Sequence, residues 1–499
     1  MALTAGGRVH AGFAAVEITP PMGTHLAGSG AGIHRPVQTV LDPLYARAAV
    51  FASSGTTLCL IEVDATVISS GYAEKIASGV MCELALPREN VMVMGTQTHS
   101  APPLGYFNVD DDYELDIPAE REYIRGGERA YSDFAAQKAV EAAVEAKRNV
   151  KPLLMQARRG IQHDLAFNRR AVSRITETAE DTELSYKVGL SLEKGKVIMP
   201  FPMDNTALKN PVGPDYISHL EGPTDDEVVA ACFIDEQMQI ESLLLHFTCH
   251  PVNAYCNDAT YYAVSADWCG TWAKAAGEGL HTKHLPLVIN GCCGNSNPIN
   301  PYQPDQVLEP EKMGGKLADL TQKLVHLMRF DGAGEAKLAC RMEYLPLGYR
   351  EIPQWRREQC AEILGEHPER PKYAPDGSID VEWFYAASTR SVELQQKREP
   401  AFQYPVQVFR IGGLAIVALS GEPFAEGQLD IKLRSPAPLT IVGHMANKYV
   451  GYIPTAPACA AGGLEAHPMH VYWSKLEPTA ALQKIADKSV ELLNELYRD

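Results

Sequence analysis

The sequence lacks any stretch of the roughly 18 to 20 consecutive apolar residues that a helix needs to cross a bilayer. Its first residues also lack the basic segment followed by an apolar one that is typical of an export signal. We therefore predict a cytoplasmic protein without a membrane span.

Basic residues are few relative to acidic ones. The chain has 45 Lys and Arg against 62 Asp and Glu, which gives a formal net charge of -17. Nucleic acids and anionic membrane surfaces bind basic patches, so neither is expected as the main partner. A small-molecule substrate is the expected partner.

Paired CxxC spacing, internal repeats and low-complexity linkers are also missing. The eleven cysteines are scattered, and Cys59, Cys232 and Cys249 lie in apolar runs, which predicts reduced core thiols rather than a disulfide framework. We predict one continuous α/β domain over residues 1–499. Residues 350–400, rich in Trp, Tyr and Arg, are predicted to form a helical arm that packs on this body or on a second subunit of a homo-oligomer.

The stretch Leu243–Pro298 has the clearest pattern of apolar, strand-like runs that end at polar residues. It reads as a buried strand ending at a His-Pro corner, a polar loop, a helix, a second buried strand and a Gly-rich turn. His246 and His250 are four apart and so face one side of an extended chain. Because Pro251 cannot continue an inner strand, His250 is expected at the strand end, where ligands bind in α/β sheets.

Other polar residues near this stretch have structural interpretations. We predict that His246 is a satisfied strand histidine and that Cys292 and Cys293 are buried thiols rather than nucleophiles. Asp267 is expected to cap the following helix, and it also has the position to orient the histidine of the His-Pro corner. The acidic run 108–122 is predicted to be a solvated loop, with a lid as the alternative.

Polar groups recur at predicted strand ends elsewhere in the chain. His99, His250, Glu422 and the pair Tyr449 and Tyr452 together supply two imidazoles, a carboxylate and a phenol. Such donors suit a divalent metal, and zinc is the usual occupant when one position stays open for water. From the residues alone, a set of satisfied polar core groups is the alternative.

The order of several segments resembles the neutral/alkaline non-lysosomal ceramidase family from about Gly12 to the last helix. The similar segments are GFAAVEITPP, DPLYARA, GTQTHSAP, NRR, HFTCHP, SADWCG, NGCCGNSNP, LSGEPF and ANKYVGYIPT. The resemblance implies an α/β layered sandwich with a central mixed sheet. It also implies that this chain lacks the C-terminal β-sandwich domain of the longer members.

The family consists of zinc amidohydrolases, so the resemblance implies a metal-dependent hydrolase that cleaves the amide of an N-acyl substrate. The residues that it implies as metal ligands are His250, Glu422 and Tyr452, with the fourth position falling at Gln97 or its neighbour His99. Arg169 matches the arginine that would hold a substrate oxygen.

The sequence departs from the family pattern at three positions. Gln97 stands where the family has a histidine, Asn295 where it has an aspartate, and Leu464 where a tyrosine is common. Because a neutral amide oxygen is a poor zinc ligand, either His99 coordinates instead, a harder metal than zinc is bound, or the site is metal-free. We assign Gln97, Asn295 and Tyr449 to substrate binding.

The expected mechanism follows from these residue types. A bound metal lowers the pKa of a water towards about 7, so that hydroxide attacks an amide carbonyl. Arg169 and the backbone amides of residues 291–294 are expected to stabilise the oxyanion. Tyr452 is expected at the reacting centre, and His99, where it is not a ligand, is expected to carry protons.

Two other functions remain open from the sequence. One is a glycosidase or lyase on the same scaffold, because the acidic run and Trp355, Trp383 and Tyr385 suit a hydroxylated ligand. The other is a binding protein without a metal, which Gln97 favours. Metal content separates the binding protein from the enzymes, and the shape of the cavity separates an amidase from a sugar enzyme.

Overall fold

The computed structural model describes most of the chain. The described residues are 5–28, 32–53, 55–110, 112–173, 190–193, 196–198, 217–303, 306–330, 334–461, 463, 465 and 471–498. Leu464, one of the departures noted above, lies outside them.

The described part contains strands and helices along its whole length. The strands are β1 Ala5–Glu17, β2 Thr39–Val40, β3 Tyr45–Ser53, β4 Thr56–Val63, β5 Val91–Gly95, β6 Lys151–Ile161, β7 Phe167–Asn168, β8 Arg170–Ser173, β9 Leu190–Glu193, β10 Lys196–Ile198, β11 Ile217–Leu220, β12 Glu227–Ile234, β13 Ile240–Phe247, β14 Ala263–Val264, β15 Leu287–Asn290, β16 Ser296–Asn297, β17 Leu338–Leu347, β18 Phe402–Ile411, β19 Leu414–Ala418, β20 Glu422–Pro423, β21 Leu439–Gly443 and β22 Tyr452–Ile453. The α-helices are α1 Ser70–Leu84, α2 Arg129–Arg148, α3 Asp267–Leu280, α4 Pro310–His326, α5 Gln354–Leu364, α6 Val381–Arg398, α7 Ala425–Arg434, α8 Ala456–Ala461 and α9 Ala481–Leu496.

The largest sheet has eight strands in the order β15-β13-β12-β6-β1-β3-β4-β5. It is mixed, because β13–β15 and β4–β5 pair in parallel whereas the other neighbours are antiparallel. Every residue of β12 is buried. A strand with both faces buried reads as an uninterrupted apolar run, which is the pattern of its sequence EVVAACFI after the first residue.

A second sheet, β17-β18-β19-β21, packs face to face on the first. Successive side chains of a strand point to opposite faces of the sheet. In β12, Val229, Ala231 and Phe233 point towards the second sheet, whereas the residues between them face helices. Ile416 and Ile441 contribute to the same core from the second sheet. The period of two along the strands therefore separates two apolar layers.

Helices cover the outer faces of both sheets. Helices α1 and α2 lie on one half of the eight-stranded sheet, and α3 and α4 lie on the other half. Helices α7 and α9 cover the second sheet. The result is a four-layer α-β-β-α sandwich with a central mixed sheet, which confirms the fold class predicted from the sequence.

Residues 350–400 contain α5 and α6, which pack in one apolar cluster with residues 109–124 and 471–472. Within the acidic run, Val109 and Tyr113 are buried in this cluster, whereas Asp112, Glu114 and Asp116 are exposed, so the run is solvated at its charged residues and anchored by apolar ones. Trp383 and Tyr385 are buried there too. The single domain and the possible homo-oligomer stay predictions.

All eleven cysteines are free thiols, most of them buried, as predicted. Among the described helices, none combines the length and the apolar character needed to traverse a bilayer.

Candidate active site

The ends of several strands meet around a cavity of about 340 Å³. One buried side chain, Asn290 at the end of β15, joins two of these ends: its Nδ2 donates to Thr96 O at 3.0 Å and its Oδ1 accepts from Cys249 N at 3.3 Å. The cavity is lined by Gly28, Ile33, Thr66, Val67, Gln97, His99, Phe107, Arg169, His250, Val252, Tyr255, Tyr261, Asn297, Glu422, Tyr449, Tyr452 and Trp473.

His250 follows β13 and is fully buried, as expected for the His-Pro corner. Its Nδ1 lies 2.6 Å from Cys293 O and 3.2 Å from Ser296 O. Two carbonyl oxygens fix the proton on Nδ1 and leave a lone pair on Nε2. This Nε2 has no hydrogen-bond partner and lies 3.4 Å from Glu422 Oε2.

Glu422 is brought to the same point by the pairing of β20 with β22, in which it lies opposite Tyr452. Its Oε2 accepts from Gln97 Nε2 at 2.7 Å and its Oε1 accepts from the Tyr449 hydroxyl at 3.0 Å. Burial alone would raise the pKa of this carboxyl, but the contact with His250 and the positive charge of Arg169 help to lower it to about 2. Glu422 is therefore anionic at neutral pH.

Gln97 connects the carboxylate to a buried thiol. The residue sits just past β5 with a left-handed backbone (φ 68°), and its Oε1 accepts from Cys293 Sγ at 3.3 Å. Because burial raises the pKa of Cys293 well above its ordinary value, the thiol stays protonated and donates. Both ends of the Gln97 amide are thus occupied by protein groups.

His99 lies beside His250, with 5.4 Å between the ring centroids. Burial lowers its pKa to about 3, with the charge of His250 as the next cause, so the imidazole is neutral at pH 7. The Nδ1 of His99 is buried and has no hydrogen-bond partner. Arg35 holds the backbone here by donating to His99 O at 2.6 Å.

Arg169 and Tyr452 form a second wall of the cavity, with the guanidinium 5.2 Å from the centroid of the tyrosine ring. Arg169 Nε donates to Glu465 Oε1 at 2.9 Å, and Nη2 donates to Gly294 O at 2.8 Å. Glu465 is fully buried and also accepts from Arg170. The arginine is thus held in place while it faces the cavity.

Two expectations about the Gly-rich turn need correction. The amides of Gly291, Cys292 and Gly294 donate to Phe247 O, Gln428 Oε1 and Pro423 O, so they do not form an oxyanion site. Asn295 is outside the cavity lining, because its Nδ2 donates to Glu426 Oε2 and its Oδ1 accepts from Ala425 N at the start of α7.

Two other predicted residues have structural contacts. His246 Nδ1 donates to Ile289 O at 3.0 Å across the sheet, whereas its buried Nε2 has no hydrogen-bond partner, so this strand histidine is satisfied at one ring nitrogen. The carboxylate of Asp267 accepts from Trp268 N at the start of α3 and from Ala254 N in the loop after the His-Pro corner. Its contact thus steadies the loop rather than the histidine itself.

Sequence reasoning missed several residues of the site, including Arg35, Tyr255, Tyr261, Trp473 and Glu465. The guanidinium of Arg35 lies over the rings of Tyr255 and Tyr261, at 4.8 and 4.6 Å from their centroids. Trp355, which we considered as a ligand-binding aromatic, is half exposed elsewhere, and Trp473 lines the cavity instead. A tryptophan or tyrosine in a loop gives no local signal of the cavity it will line.

The lining fits a divalent cation at one place. An imidazole lone pair and a carboxylate that face each other at 3.4 Å repel unless a proton or a cation lies between them. Among the described residues, however, no group of three or more His, Cys, Asp or Glu side chains is placed to share one ion. Of the expected His and Glu ligands, only His250 and Glu422 therefore face each other directly, and His99 is not placed to share an ion with both.

Comparison with solved structures identifies the fold. The chain matches the crystal structure of neutral ceramidase from Pseudomonas aeruginosa with a TM-score of 0.66 and 16% identity, over 98% of this chain and 74% of that chain. The chain has the neutral ceramidase fold. A ceramidase structure in complex with C2 matches with a TM-score of 0.65 and 15% identity, over 98% and 75% of the two chains.

The sequence segments indicated a resemblance to ceramidases, and the comparison confirms this resemblance at the level of the fold. At the level of sequence, no protein-family profile matches the chain. A search of curated proteins also gives no match.

Proposed function

We propose that the chain is a ceramidase-like hydrolase that cleaves the amide of an N-acyl substrate in this cavity. The observation that carries the proposal is the buried pair of His250 Nε2 and Glu422 Oε2, which lie 3.4 Å apart and face a cavity that Arg169 also lines. This arrangement on a ceramidase fold suits hydrolysis better than simple binding, since a buried imidazole nitrogen without a hydrogen-bond partner is costly.

We propose that His250 and Glu422 hold a divalent cation, with the Tyr452 hydroxyl as a further donor and zinc as the first candidate. Such an ion supplies activated water and polarises a carbonyl. Gln97 and Tyr449 keep the carboxylate of Glu422 turned towards His250 by hydrogen bonds to its two oxygens.

Arg169 supplies the positive charge for the oxygen of the scissile carbonyl. Its guanidinium is held by Glu465 and Gly294, so its position does not depend on substrate. A fixed donor aimed at the developing oxyanion is the arrangement that lowers the barrier most. Tyr452, against the face of this arginine, restricts the carbonyl to one side of the cavity.

A hydroxylated substrate is the second candidate, because three aromatic side chains, Tyr255, Tyr261 and Trp473, line the cavity. Flat apolar faces beside polar groups suit a sugar ring as well as a short acyl chain. Assays with N-acyl amines, N-acetylated sugars and simple glycosides distinguish the two. Release of amine and acid supports the amidase, and release of a sugar alone supports the alternative.

Metal content tests the proposed site directly. Mass spectrometry of protein purified without chelator is expected to find about one divalent ion per chain in the wild type. His250→Asn keeps a donor for the carbonyls but removes Nε2, so we expect the ion to fall below about a tenth of that level.

The matched control is His246→Asn, because His246 is a buried histidine of the preceding strand, β13, and its Nδ1 also lies against a backbone carbonyl. We expect it to retain the ion. No metal in the wild type, even after incubation with zinc, or equal losses in both variants would contradict the proposal.

Replacing Gln97 by His is expected to tighten zinc binding about 10- to 100-fold. A histidine tolerates the left-handed backbone better than most residues, and it places a nitrogen lone pair where Gln97 Nε2 now contacts Glu422. Chelator competition measures the change. Gln97→Asn, which keeps a neutral amide, serves as the control and should not tighten binding; an unchanged affinity in Gln97→His would show that this position does not face the ion.

A further inference from the structure

A second cavity, of about 300 Å³, lies next to the candidate active site. Phe107 and Tyr449 line both cavities, so these two rings form the wall between them. The hydroxyl of Tyr449 is the one that binds Glu422. The second cavity is thus separated from the proposed reacting groups by a single layer of side chains.

The carboxylates in the lining of this second cavity already have partners in the protein. Asp110 and Asp112 both pair with Arg398, the first at 3.1 Å. Glu399 accepts from the Tyr349 hydroxyl at 3.4 Å and from Gln403 N at 3.3 Å. A cation that entered the cavity would therefore compete with existing donors.

Its two lysines are in a different situation. Lys475 Nζ donates to the neutral amide of Gln395 at 3.3 Å, and Lys448 Nζ donates to the backbone oxygen of Gln403 at 3.0 Å. Neither makes an ion pair with a carboxylate of the described residues. An ammonium group has three donors, so each lysine retains capacity for an anion.

Lys475 is the more enclosed of the two and is fixed to the site by its backbone. Its N donates to Val450 O, and its neighbour Trp473 lines the first cavity. Burial lowers the pKa of Lys475 more than the nearby charge of Asp110 raises it, because Arg398 beside Asp110 acts in the opposite direction. Such a charge is stabilised by any anion that reaches it.

We propose that the second cavity binds an anionic oxyacid group, such as a phosphate or a carboxylate, through Lys475 and Lys448. Hydroxyl groups complete the site, because Ser69 and Ser391 line it and Ser391 Oγ, which accepts from Asp110 N, keeps its own hydrogen for a ligand oxygen. Where the first cavity cleaves an N-acyl amine, the substrate carries this anionic group beyond the Phe107–Tyr449 wall; this extension rests on the proposed function.

Binding of inorganic phosphate tests the site without catalysis. Calorimetry at constant ionic strength is expected to show saturable binding to the wild type, weakened at least tenfold in Lys475→Met. Methionine keeps the apolar stem of the lysine and removes the charge. Lys484→Met, an exposed lysine on α9, is the matched control and should bind phosphate as the wild type does.

The proposal is decided by comparing the phosphate affinities of the wild type and the lysine variants. Lys475→Arg, which retains the positive charge, is expected to restore binding to within a few-fold of the wild type. No saturable binding by the wild type, or the same weakening in Lys484→Met, would overturn the proposal.

A labelling experiment on the wild type removes dependence on any variant's folding. Phosphate is expected to slow modification of Lys475 by an amine reagent, measured by peptide mass spectrometry, at least fivefold. The exposed Lys484 should be modified at the same rate with and without phosphate. Equal rates at Lys475 would overturn the proposal.

The substrate extension is tested with an N-acyl amine that carries a terminal phosphate and with its uncharged alcohol. Lys475→Met is expected to raise KM for the phosphate compound about tenfold and to leave KM for the alcohol unchanged. Equal effects on both compounds would overturn the extension. Absence of hydrolysis of both by the wild type would contradict the proposed function, and the phosphate-binding results would still decide the anion site.

Discussion

Glu422→Gln is expected to lower kcat on an N-acyl substrate by about 10²- to 10³-fold, because it removes the negative charge of the candidate site. The carboxylate accepts from Gln97 and Tyr449 and faces a lone pair of His250. An amide at this position presents its NH₂ group to at least one of the donors that the carboxylate now accepts from. The proposed cation would lose its negatively charged ligand at the same time.

The measurement is kcat together with metal content for the variant and a matched control. Glu426→Gln makes the same chemical change four residues further along, at a carboxylate that accepts from Asn295 outside the cavity. We expect the control to keep activity within about twofold. Full activity in Glu422→Gln, or an equal loss in both variants, would show that the charge of Glu422 is not part of the reaction.

The fold was within reach of the sequence because its signals are local. The apolar run before the His-Pro corner indicated a buried strand, and Pro251 indicated that this strand ends near His250; β13 ends at Phe247. The segments shared with ceramidases lie at strand ends and turns, which are short and specific. These features predicted a layered α/β sandwich with a central mixed sheet, and the place of His250, without any knowledge of distant contacts.

The remaining details of the site depend on contacts between distant parts of the chain. Gln97 and Glu422 are 325 positions apart, and Arg169 and Glu465 are 296 apart. Nothing in the sequence around Glu465 shows that a buried carboxylate there holds two arginines. The same applies to Asn290, whose side chain joins the ends of two strands.

For the Gly-rich turn, the sequence predicted a role that the structure does not support. Its position after β15 suggested that its amides and Asn295 contact the substrate. Asn295 lies beside Gly294 in the turn segment that resembles the ceramidase pattern, yet its side chain points to the start of α7. The turn's amides are used to hold β13, β20 and α7 together. Composition can place a turn near a site, but the directions of its amides and side chains are set by the elements packed against it.

Arg169→Met is expected to lower kcat by about 10²- to 10³-fold while the protein remains folded. The loss follows from removal of the positive charge that faces the cavity beside Tyr452. The fold should survive because the buried partner carboxylate, Glu465, keeps its 2.8 Å contact with Arg170 and is not left unpaired. Steady-state kinetics and urea unfolding of the same preparation measure the two effects.

The neighbouring arginine provides the control, because Arg170 shares Glu465 but faces Glu221 and Ala458 O instead of the cavity. Arg170→Lys keeps the charge and loses the fork of donors, so we expect it to lower the free energy of unfolding by about 1–3 kcal/mol with kcat nearly unchanged. The two adjacent arginines would then have separate roles, with Arg169 affecting kcat and Arg170 affecting the free energy of unfolding. If Arg169→Met instead lowered stability and left kcat intact, Arg169 would be a structural residue and the oxyanion would need another donor.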